Sequence, residues 1–326
     1  MDLNRKLTIP IGVTAKNEAQ ALPYLIESIT KSIEWAEQQG PWAYDLCIVL
    51  NGTTDHSEEV LAAYSGFKIM KTETGLVAAQ RAFAANHAEA PFIIFSDADI
   101  LLDIEAVFAL TKAMIENPEL PAAYAEKVPL RPHRKTFLAE ALYRYNLHNG
   151  YQSVRHYLNG QFFAIRNWSI PETHELTWDT NLNNRFLSLE NGIRCDDIYI
   201  SRDLLQRFGA AGLKCVATNI YYQPPETLVG MFRKYQRMKL EIERLHVFFP
   251  TTIATHQKWG QRKLLVKELL RHTATDTLFY LYFLFFLEIC KLTYALHRFY
   301  YSKCASESYA TWKPIEESKK FARMEP

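Results

Sequence analysis

Two aspartates, Asp97 and Asp99, stand one residue apart in the stretch FIIFSDADILLD, which covers residues 92–103. They follow an apolar run that is typical of a buried strand. Neighbouring carboxylates repel each other and raise the proton affinity of at least one of them, so a cation between them would stabilise the pair. Carboxylate oxygens are the ligands that Mg²⁺ and similar hard cations prefer. The pair therefore predicts a divalent metal site.

A helix cap is the alternative interpretation of this acidic stretch. Asp103 precedes the helical pattern IEAVFALTKAMIE, and an aspartate before a helix commonly accepts hydrogen bonds from its first N–H groups. In that case Asp103 is the N-cap, and Asp97 and Asp99 only belong to the loop before it. Because Asp103 can cap alone, this interpretation gives the other two aspartates no role. Both interpretations stay open on these residues alone.

A second acidic pair, Asp196 and Asp197, begins the stretch DDIYISRDLLQRFG. Its apolar residues recur at helical spacing, which places the pair at a helix N-terminus. The helix dipole favours carboxylates there, and this is a purely structural reason for the pair. A carboxylate in a cleft can also act as the general base that takes a proton from an attacking hydroxyl.

Whole-chain composition limits what these sites belong to. With 326 residues, 48% of them hydrophobic, the chain can bury a full core as one large domain or one domain with an elaboration. A net charge of +1 gives no global field that would favour nucleic acid. The five cysteines lack CxxC spacing, which indicates neither a disulfide framework nor a zinc site. MDLNRKLTIPIGV has no apolar segment of signal-peptide length, so we expect a cytoplasmic protein.

The elements that must position the aspartates alternate along the first 130 residues, where helical patterns follow apolar, β-rich runs. The predicted strands cover residues 7–13, 44–50, 67–70 and 92–96. Continuous apolar runs are typical of strands buried on both faces, as in a parallel sheet covered by helices. We therefore predict the α/β class, with a Rossmann-like, mainly parallel sheet flanked by helices. Ligands of such sheets bind at the carboxyl ends of the strands, where three loops fall: TAKNEA (14–19), NGTTD (51–55) and SDAD (96–99).

Four segments resemble, in order and spacing, the successive signatures of family 2 glycosyltransferases with the A-type fold. They are VTAKNEA, VLNGTTDHSEEV, GLVAAQRAFAANHAEAPFIIFSDAD and RCDDIYISRDL. The resemblance covers residues 7–240. It implies an enzyme that moves a sugar from a nucleotide-diphosphate donor to an acceptor hydroxyl, with Mg²⁺ or Mn²⁺ as cofactor.

The resemblance also implies roles for individual residues. In this family the first, second and fourth strands end in loops that hold the donor, and the fourth loop carries a D-x-D motif for metal and diphosphate. By position, four residues would lie beside the nucleoside or its base: Thr14, Asn17, Glu18 and Asn51. Asp97 would face the ribose and the metal, and Asp99 would ligate the metal. A bound cation neutralises the charge that develops on a diphosphate leaving group.

Basic residues for the diphosphate follow the family pattern less closely. Leu50 stands where many members have an acidic residue for the base, and Leu76 where some have a basic residue. Arg81, one helical turn further on, and Arg237, in PPETLVGMFRKYQRMK, are the candidates, and a solvated helix face is the alternative for both. That last segment resembles the QxxRW region of processive synthases, but no tryptophan follows Gln236. Single additions are therefore favoured over polymerisation.

For the second acidic pair the resemblance favours a catalytic role. In the family the second residue of such a pair is the general base, which would make Asp197 the base and Asp196 its support. A single base opposite the leaving group implies one in-line displacement, and therefore inversion at the anomeric carbon. YLNGQFFAIRN (157–167) resembles the apolar strand and arginine that close the acceptor side.

The C-terminal third contains the apolar stretch TLFYLYFLFFL at 277–287, whose eleven residues are fewer than the about 20 that span a bilayer. A longer helix would carry one charged stripe of Glu288, Lys291 and Arg298. Upstream, basic residues recur at i, i+4 spacing: Lys263, Lys267 and Arg271. An interfacial membrane anchor, with the aromatic residues of 279–286 at the lipid boundary, fits this pattern. A helical hairpin packed on the catalytic domain or in a homodimer interface fits it equally.

The predicted domains are a catalytic domain, a helical extension and a polar tail. They cover residues 1–240 (a nucleotide-sugar half, 1–130, and an acceptor half, 131–240), 241–302 and 303–326. We predict a metal-dependent, inverting glycosyltransferase for glycan, cell-envelope or glycolipid synthesis, with a glycan or lipid-linked acceptor, at the inner face of the cytoplasmic membrane. A sugar-nucleotide pyrophosphorylase and a catalytically inactive sugar-nucleotide-binding protein are the alternatives. TAKNEA is not the Gly-rich basic loop of the former, and Asp97, Asp99 and Asp197 argue against the latter.

Overall fold

A computed structural model of the chain describes residues 6–72, 76–149, 158, 160–170, 196–248, 273–303, 319 and 321. Its strands are β1 (Leu7–Ala15), β2 (Trp42–Asn51), β3 (Lys68–Thr72), β4 (Ile93–Asp97), β5 (Ile100–Leu102), β6 (Ala122–Pro129), β7 (Phe162–Ile165) and β8 (Leu213–Tyr222). Its helices are α1 (Leu22–Gln39), α2 (Ser57–Leu61), α3 (Leu76–Ala85), α4 (Ala106–Glu116), α5 (Phe137–Asn149), α6 (Asp196–Phe208), α7 (Leu228–Phe248) and α8 (Ala274–Lys303).

These strands form one mixed sheet in the order β3-β2-β1-β4-β7-β6-β8-β5. The four strands predicted from the sequence pair in parallel, and β7 then pairs antiparallel with both β4 and β6. The predicted α/β class, a sheet flanked by helices with a helical C-terminal extension, is confirmed. The carboxyl ends of β1, β2 and β4 meet at one edge, which is where the predicted loops must lie.

The centre of the sheet is fully apolar, which explains why the predicted strands could be read from continuous runs. Ile9, Ile11 and Val13 of β1 are completely buried, as are Ile93 and Ile94 of β4. Helices cover this layer with one apolar stripe each, for which α1 supplies Leu22, Leu25, Ile26 and Ile29. Burial on both faces removes any polar alternation from the central strands.

The alternative interpretation of Asp103 as a helix N-cap is wrong. Helix α4 begins at Ala106, and its N-cap position is Glu105, which makes no side-chain cap hydrogen bond. The Asp103 carboxylate instead accepts hydrogen bonds from the Tyr221 hydroxyl at 2.8 Å and the Asn219 N–H at 3.2 Å. Asp103 therefore ties β5 to β8.

Arg166, which follows β7, is a structural residue in this fold. It is buried, and its guanidinium donates to the carbonyl oxygens of Met114, Asn117 and Leu120 around the end of α4. The sequence analysis placed this arginine on the acceptor side. The structure uses it to satisfy helix-end carbonyls that have no partner within the helix.

The C-terminal helix α8 packs on α5 and α7, with Leu142, Met231, Phe283 and Cys290 buried between them. Arg144 of α5 pairs with Glu140 at 2.5 Å and with Asp276 of α8. Helix α7 runs through residue 240, where the sequence analysis placed a domain boundary. The three basic residues predicted to contact lipid, at 263–271, lie outside the described residues.

The extension is longer than its apolar core suggested. Helix α8 has 30 residues, and by length and composition Ala274–Tyr300 could cross a membrane. Two of the aromatic residues expected at a lipid boundary, Tyr280 and Phe283, are instead buried against the catalytic domain. Packing on α5 and α7 therefore accounts for part of the aromatic content, and other residues of α8 face outward.

Candidate active site

The candidate site is the edge where β1, β2 and β4 end. Thr14 is the register partner of Asp97 in β4 and of Val49 in β2, two residues before Asn51. Thr14 and Asn51 are buried, with 6% and 4% of their surface exposed. The structure thus brings together three residues that the sequence analysis assigned to the donor.

Hydrogen bonds that involve side chains connect the loop after β1 to the loop after β2. Asn17 has φ 57°, a left-handed conformation that asparagine tolerates better than most residues. Its Oδ1 accepts the Thr54 N–H at 2.7 Å. The Glu18 N–H donates to the Ser57 Oγ at 3.0 Å. Asn17 was predicted to lie by the nucleoside, and the structure shows that its side chain also holds the loop that would do so.

Asp55 forms further hydrogen bonds between the two loops. It was not among the predicted site residues. Its carboxylate accepts the Ala19 N–H at 3.1 Å and the Ser57 hydroxyl at 2.6 Å. Burial tends to raise the pKa of Asp55, but the hydrogen bonds from Ser57 and Ala19 outweigh it and lower the pKa. The sequence signal was the Asp-x-Ser spacing, since aspartate often bonds the backbone two residues on.

Glu18 is the most perturbed acid of this edge. Burial, reinforced by the charge of Asp99, raises its pKa to about 8, although Lys319 opposes the shift. The Glu18 Oε1 lies 2.9 Å from the Lys319 Nζ. Its Oε2 is buried and has no hydrogen-bond partner among the residues that the structure describes. The effect of burial exceeds that of the single ion pair, because a buried carboxylate with one unsatisfied oxygen binds a proton readily.

Asp99 lies within reach of three cationic side chains. Burial raises the pKa of its carboxyl, while Lys319, Arg237 and Lys127 act to lower it. Arg237, on α7, was a predicted donor residue, and it is close enough to Asp99 to act on its charge. The charges of Asp99 and Glu18 also act on each other. One crevice therefore holds the residue after β4, the loop after β1 and the basic face of α7.

Asp197 stands at the start of α6, directly against Gly160. A Cβ added at Gly160 would lie 2.3 Å from the Asp197 Cβ, so only glycine allows this approach. The Asp197 Oδ1 accepts the Ile198 N–H at 2.8 Å. Ser201 links the two segments, because its Oγ accepts the Leu158 N–H at 2.8 Å and donates to the Asp197 carbonyl at 2.5 Å. The backbone at Asp196 starts the same helix.

Lys234 connects the two acidic sites. Burial, and then the neighbouring Arg237, lower its pKa to about 8, while Asp99 and Asp197 act to raise it. The ammonium also lies 5.4 Å from the Tyr222 ring centre. The sequence signal was its position three residues before Arg237, which puts both side chains on one face of α7.

Arg81 lies half-buried on α3, a helix that packs on β1 and β2. Phe83 of this helix fills the space beside Gly12, where an added Cβ would lie 2.6 Å from its ring. The packing fixes α3 next to the strands that end in the crevice. A donor contact for Arg81 stays a prediction.

Comparison with known families identifies this architecture. The family model described as glycosyl transferase family 2 matches residues 11–170, which include the loops after β1, β2 and β4. The chain carries a family 2 glycosyltransferase domain. The resemblance drawn from the four sequence signatures is confirmed, and so is the class of enzyme. No curated protein sequence matches the chain.

Three solved structures of glycosyltransferases are similar to this chain, one of them with a TM-score above 0.5. A mannosyltransferase from Pyrobaculum calidifontis, in complex with GDP-Man and Mn²⁺, is 11% identical, with a TM-score of 0.52 over 92% of this chain and 88% of that chain. Mannosyl-3-phosphoglycerate synthase from Rubrobacter xylanophilus is 15% identical and covers 76% of each chain with a TM-score of 0.49. Glucosyl-3-phosphoglycerate synthase from Mycobacterium tuberculosis is 17% identical, at a TM-score of 0.47 over 73% and 79%. At these identities the likeness concerns the fold.

Proposed function

We propose that this domain transfers a sugar from a nucleoside-diphosphate donor to an acceptor hydroxyl, with inversion at the anomeric carbon. One observation carries the proposal: the neighbouring residues Gly160 and Gln161 contact both acidic sites. The Asp97 N–H donates to the Gln161 carbonyl at 2.8 Å, and Gly160 lies directly against Asp197. Two acidic signatures that are about a hundred residues apart in sequence therefore face one crevice. A leaving diphosphate and an attacking hydroxyl need such a pair of sites on either side of the transferred sugar.

A divalent cation, Mg²⁺ or Mn²⁺, fits the two aspartates of the fourth loop. Among the described residues no group of three or more His, Cys, Asp or Glu could hold a metal ion, so Asp97 and Asp99 would form only part of a ligand shell. Mg²⁺ characteristically binds through one or two carboxylates together with substrate phosphates. The buried carboxyl of Asp99, with its raised pKa, is a group that a cation would stabilise in its ionised form. Asp97 and Asp99 would hold the ion, which would offset negative charge on the diphosphate.

The donor nucleoside would occupy the edge formed by Thr14, Asn17, Glu18 and Asn51. The hydrogen bonds between the loops after β1 and β2 hold these residues in place, so donor binding does not have to order the loops. The diphosphate would then face the basic side chains around Asp99, with Lys234 and Arg237 as its nearest protein cations and Arg81 on the β1–β2 side.

Asp197 would act as the general base, and Asp196 would support it from the same helix start. The hydrogen bond from the Ile198 N–H fixes the carboxylate, and contact with Gly160 sets where α6 begins. The hydroxyl of the acceptor would lose its proton to Asp197 as it attacks. We infer a single displacement, because the sequence marks no further carboxylate as a covalent nucleophile.

Product analysis tests this proposal directly. The purified protein is incubated with a panel of sugar nucleotides and candidate acceptors, and release of nucleoside diphosphate is compared with release of pyrophosphate. We expect nucleoside diphosphate, and an inverted anomeric configuration by NMR. Pyrophosphate would indicate the pyrophosphorylase alternative, binding without turnover would indicate an inactive sugar-nucleotide-binding protein, and a retained configuration would rule out the single displacement.

We further propose that α8 brings the domain to a membrane surface, where a lipid-linked acceptor would be available. One stripe of this helix exposes more than half of each of six large apolar side chains: Leu278, Leu281, Phe285, Leu292, Leu296 and Phe299. An apolar stripe on a helix whose opposite face is packed is typical of an interfacial anchor. A second copy of the chain is the competing occupant, since homodimer interfaces are also apolar. The predicted division into catalytic domain, extension and tail remains part of this proposal.

A further inference from the structure

Two residues of the C-terminal segment, Lys319 and Phe321, lie against the loop that follows β1. Each exposes only 7% of its surface. The Lys319 Nζ is 2.9 Å from the Glu18 Oε1 and donates to the carbonyl oxygens of Lys16, at 3.2 Å, and Asn17. The Phe321 ring packs on Tyr24 of α1, with 5.6 Å between ring centres. The sequence analysis saw only a polar tail here.

These contacts satisfy the hydrogen-bonding capacity of the Lys319 ammonium group. An ammonium group has three N–H donors and no acceptor, and Lys319 directs them to one carboxylate and two carbonyl oxygens. Lysine is almost never buried unless it is paired in this way. Its acceptors belong to Lys16, Asn17 and Glu18, the same loop in which Asn17 adopts the left-handed conformation. Lys319 therefore closes the far side of the loop whose near side is held by Thr54 and Ser57.

Lys319 also changes the charge of the crevice. Three carboxylates face this region, those of Glu18, Asp55 and Asp99, and the Lys319 charge acts on all three. A nucleoside diphosphate is an anion, and a cation on this side of the crevice would favour its binding. The remaining cations assigned to Asp99, Arg237 and Lys127, approach from α7 and β6, whereas Lys319 stands on the β1 side.

We propose that Lys319 is a positioning residue of the donor site, although it lies about 300 residues from the loop that it holds. It holds the loop after β1 in the shape that receives the nucleoside, and it offsets the Glu18 charge. This inference rests on the proposed function for the identity of the ligand. The contacts themselves are independent of it.

The test compares Lys319→Ala, Lys319→Gln and Lys319→Arg with the wild type. Calorimetry with UDP and with GDP, each with and without Mn²⁺, measures affinity for a donor-like probe, and kinetics with the accepted sugar nucleotide separates KM from kcat. We expect Lys319→Ala and Lys319→Gln to weaken binding and raise the donor KM about 30-fold, the lower end of the effect on binding of truncating one partner of a hydrogen-bonded charge pair, with kcat within about 3-fold. Lys319→Arg should stay near the wild type. Lys31→Ala, an exposed lysine on α1 paired with Glu27, is the matched control and should change neither value.

Each result has one meaning. Unchanged probe affinity in Lys319→Ala and Lys319→Gln overturns the inference, and tighter binding overturns it too, because the segment would then compete with the donor. A lower melting temperature with reduced kcat but unchanged KM indicates a structural role only and also overturns it. If the wild type binds UDP or GDP but transfers no sugar, the proposed function fails while the affinity comparison still decides the role of Lys319. If Lys319→Ala does not fold, Lys319→Gln and Lys319→Arg carry the comparison.

Discussion

The crevice contains acids and bases in alternation, and this arrangement determines what each single residue can do. Burial raises the pKa of Asp99, and the charges of Lys319, Arg237 and Lys127 oppose this shift without cancelling it. Asp197 shares Lys234 with Asp99. Replacing any one of these groups therefore leaves its partner uncompensated, which usually costs more than the pair itself contributes.

Asp99→Asn keeps the shape of the side chain and removes a hard anionic ligand. We expect activity to fall at least ~100-fold, by analogy with the loss of one electrostatic contact to a transition state, and the remaining activity to respond little to added Mn²⁺. Initial rates across a Mn²⁺ titration provide the measurement, with the exposed Glu27→Gln as control. Full activity of Asp99→Asn in the presence of a chelator would show that no metal acts there.

Asp197→Asn and Asp196→Asn separate base from support. If Asp197 takes the proton of the acceptor, Asp197→Asn should abolish transfer while donor affinity stays nearly intact, because the donor is held by the loops of β1, β2 and β4. Asp196→Asn should be milder. Calorimetry with the nucleoside diphosphate and single-turnover rates distinguish the two roles. Loss of donor affinity in Asp197→Asn would contradict the assignment and indicate a structural or metal-binding role.

Glu18 should make stability depend on pH in the ligand-free protein. Its pKa rises from an ordinary 4.5 to about 8 in the fold, so the folded state binds more protons than the unfolded state between these values. Stability must then fall as pH rises from about 4.5 to 8. Glu18→Gln removes this titration, so the melting temperature of the variant relative to that of the wild type should be higher at pH 8 than at pH 5. Calorimetric melts at both pH values, with Glu27→Gln as control, test this, and a constant difference would contradict it.

The sequence alone predicts the location of those site residues that lie at the end of a predicted strand. Thr14, Asn51 and Asp97 were predicted together and lie on neighbouring strands, because parallel strands share one carboxyl edge. The pair of Glu18 and Lys319 could not be predicted, since about 300 residues separate them and no periodic pattern links them. The role of Asp103 could not be decided, because the sequence before a helix is the same whether an aspartate caps that helix or accepts hydrogen bonds from a neighbouring strand.

Among the elements, the contact between α6 and the segment before β7 depends on one glycine. Gly160→Ala would place a methyl group 2.3 Å from the Asp197 Cβ, so α6 or the loop must move. Since displacement of a base by about 1 Å can cost about 100-fold in rate, we expect a large loss of kcat with a smaller change in donor affinity.

The control for this substitution is Gly66→Ala. Gly66 has φ 90° and open space around it, so this variant should lose stability through backbone strain and keep its activity. Melting temperatures and kcat are measured for both variants. Equal kcat in Gly160→Ala and the wild type would mean that Asp197 does not need its present position.

Element boundaries show which physical signals the sequence carries. β1, β2 and β4 were predicted because long apolar runs need burial on both faces, whereas β3 is an edge strand with no buried residue. β5 has only three residues, too few for any period to show. Helix α1 begins only at Leu22, after a loop in which Asn17 and Glu18 form hydrogen bonds with the loop after β2. Local propensity cannot reveal that a loop is held open by hydrogen bonds to another loop.

For the whole molecule, the exposed stripe of α8 predicts association with lipid. Full-length protein should float with anionic liposomes, and Leu292→Gln together with Leu296→Gln should reduce flotation strongly, since each substitution removes apolar area from the contact. Lys291→Gln, on the same helix and exposed, is the control for charge, and flotation is repeated at high salt. If the wild type stays unbound and the double variant instead dissociates a dimer in sedimentation, the stripe is a protein interface and the acceptor is more consistent with a soluble molecule.

Helix α7 connects this outer face to the chemistry. At 21 residues it is about 31 Å long; Lys234 and Arg237 lie at the crevice, and Glu243 pairs with Arg298 of α8 at 3.2 Å. If α7 moves as a rigid body, a shift of α8 on contacting a surface would also displace Lys234 and Arg237. Thermodynamic reciprocity then applies: whatever factor the surface adds to donor affinity, the donor must add to affinity for the surface. If the surface raises donor affinity, the enzyme would bind that surface most tightly while the donor is bound.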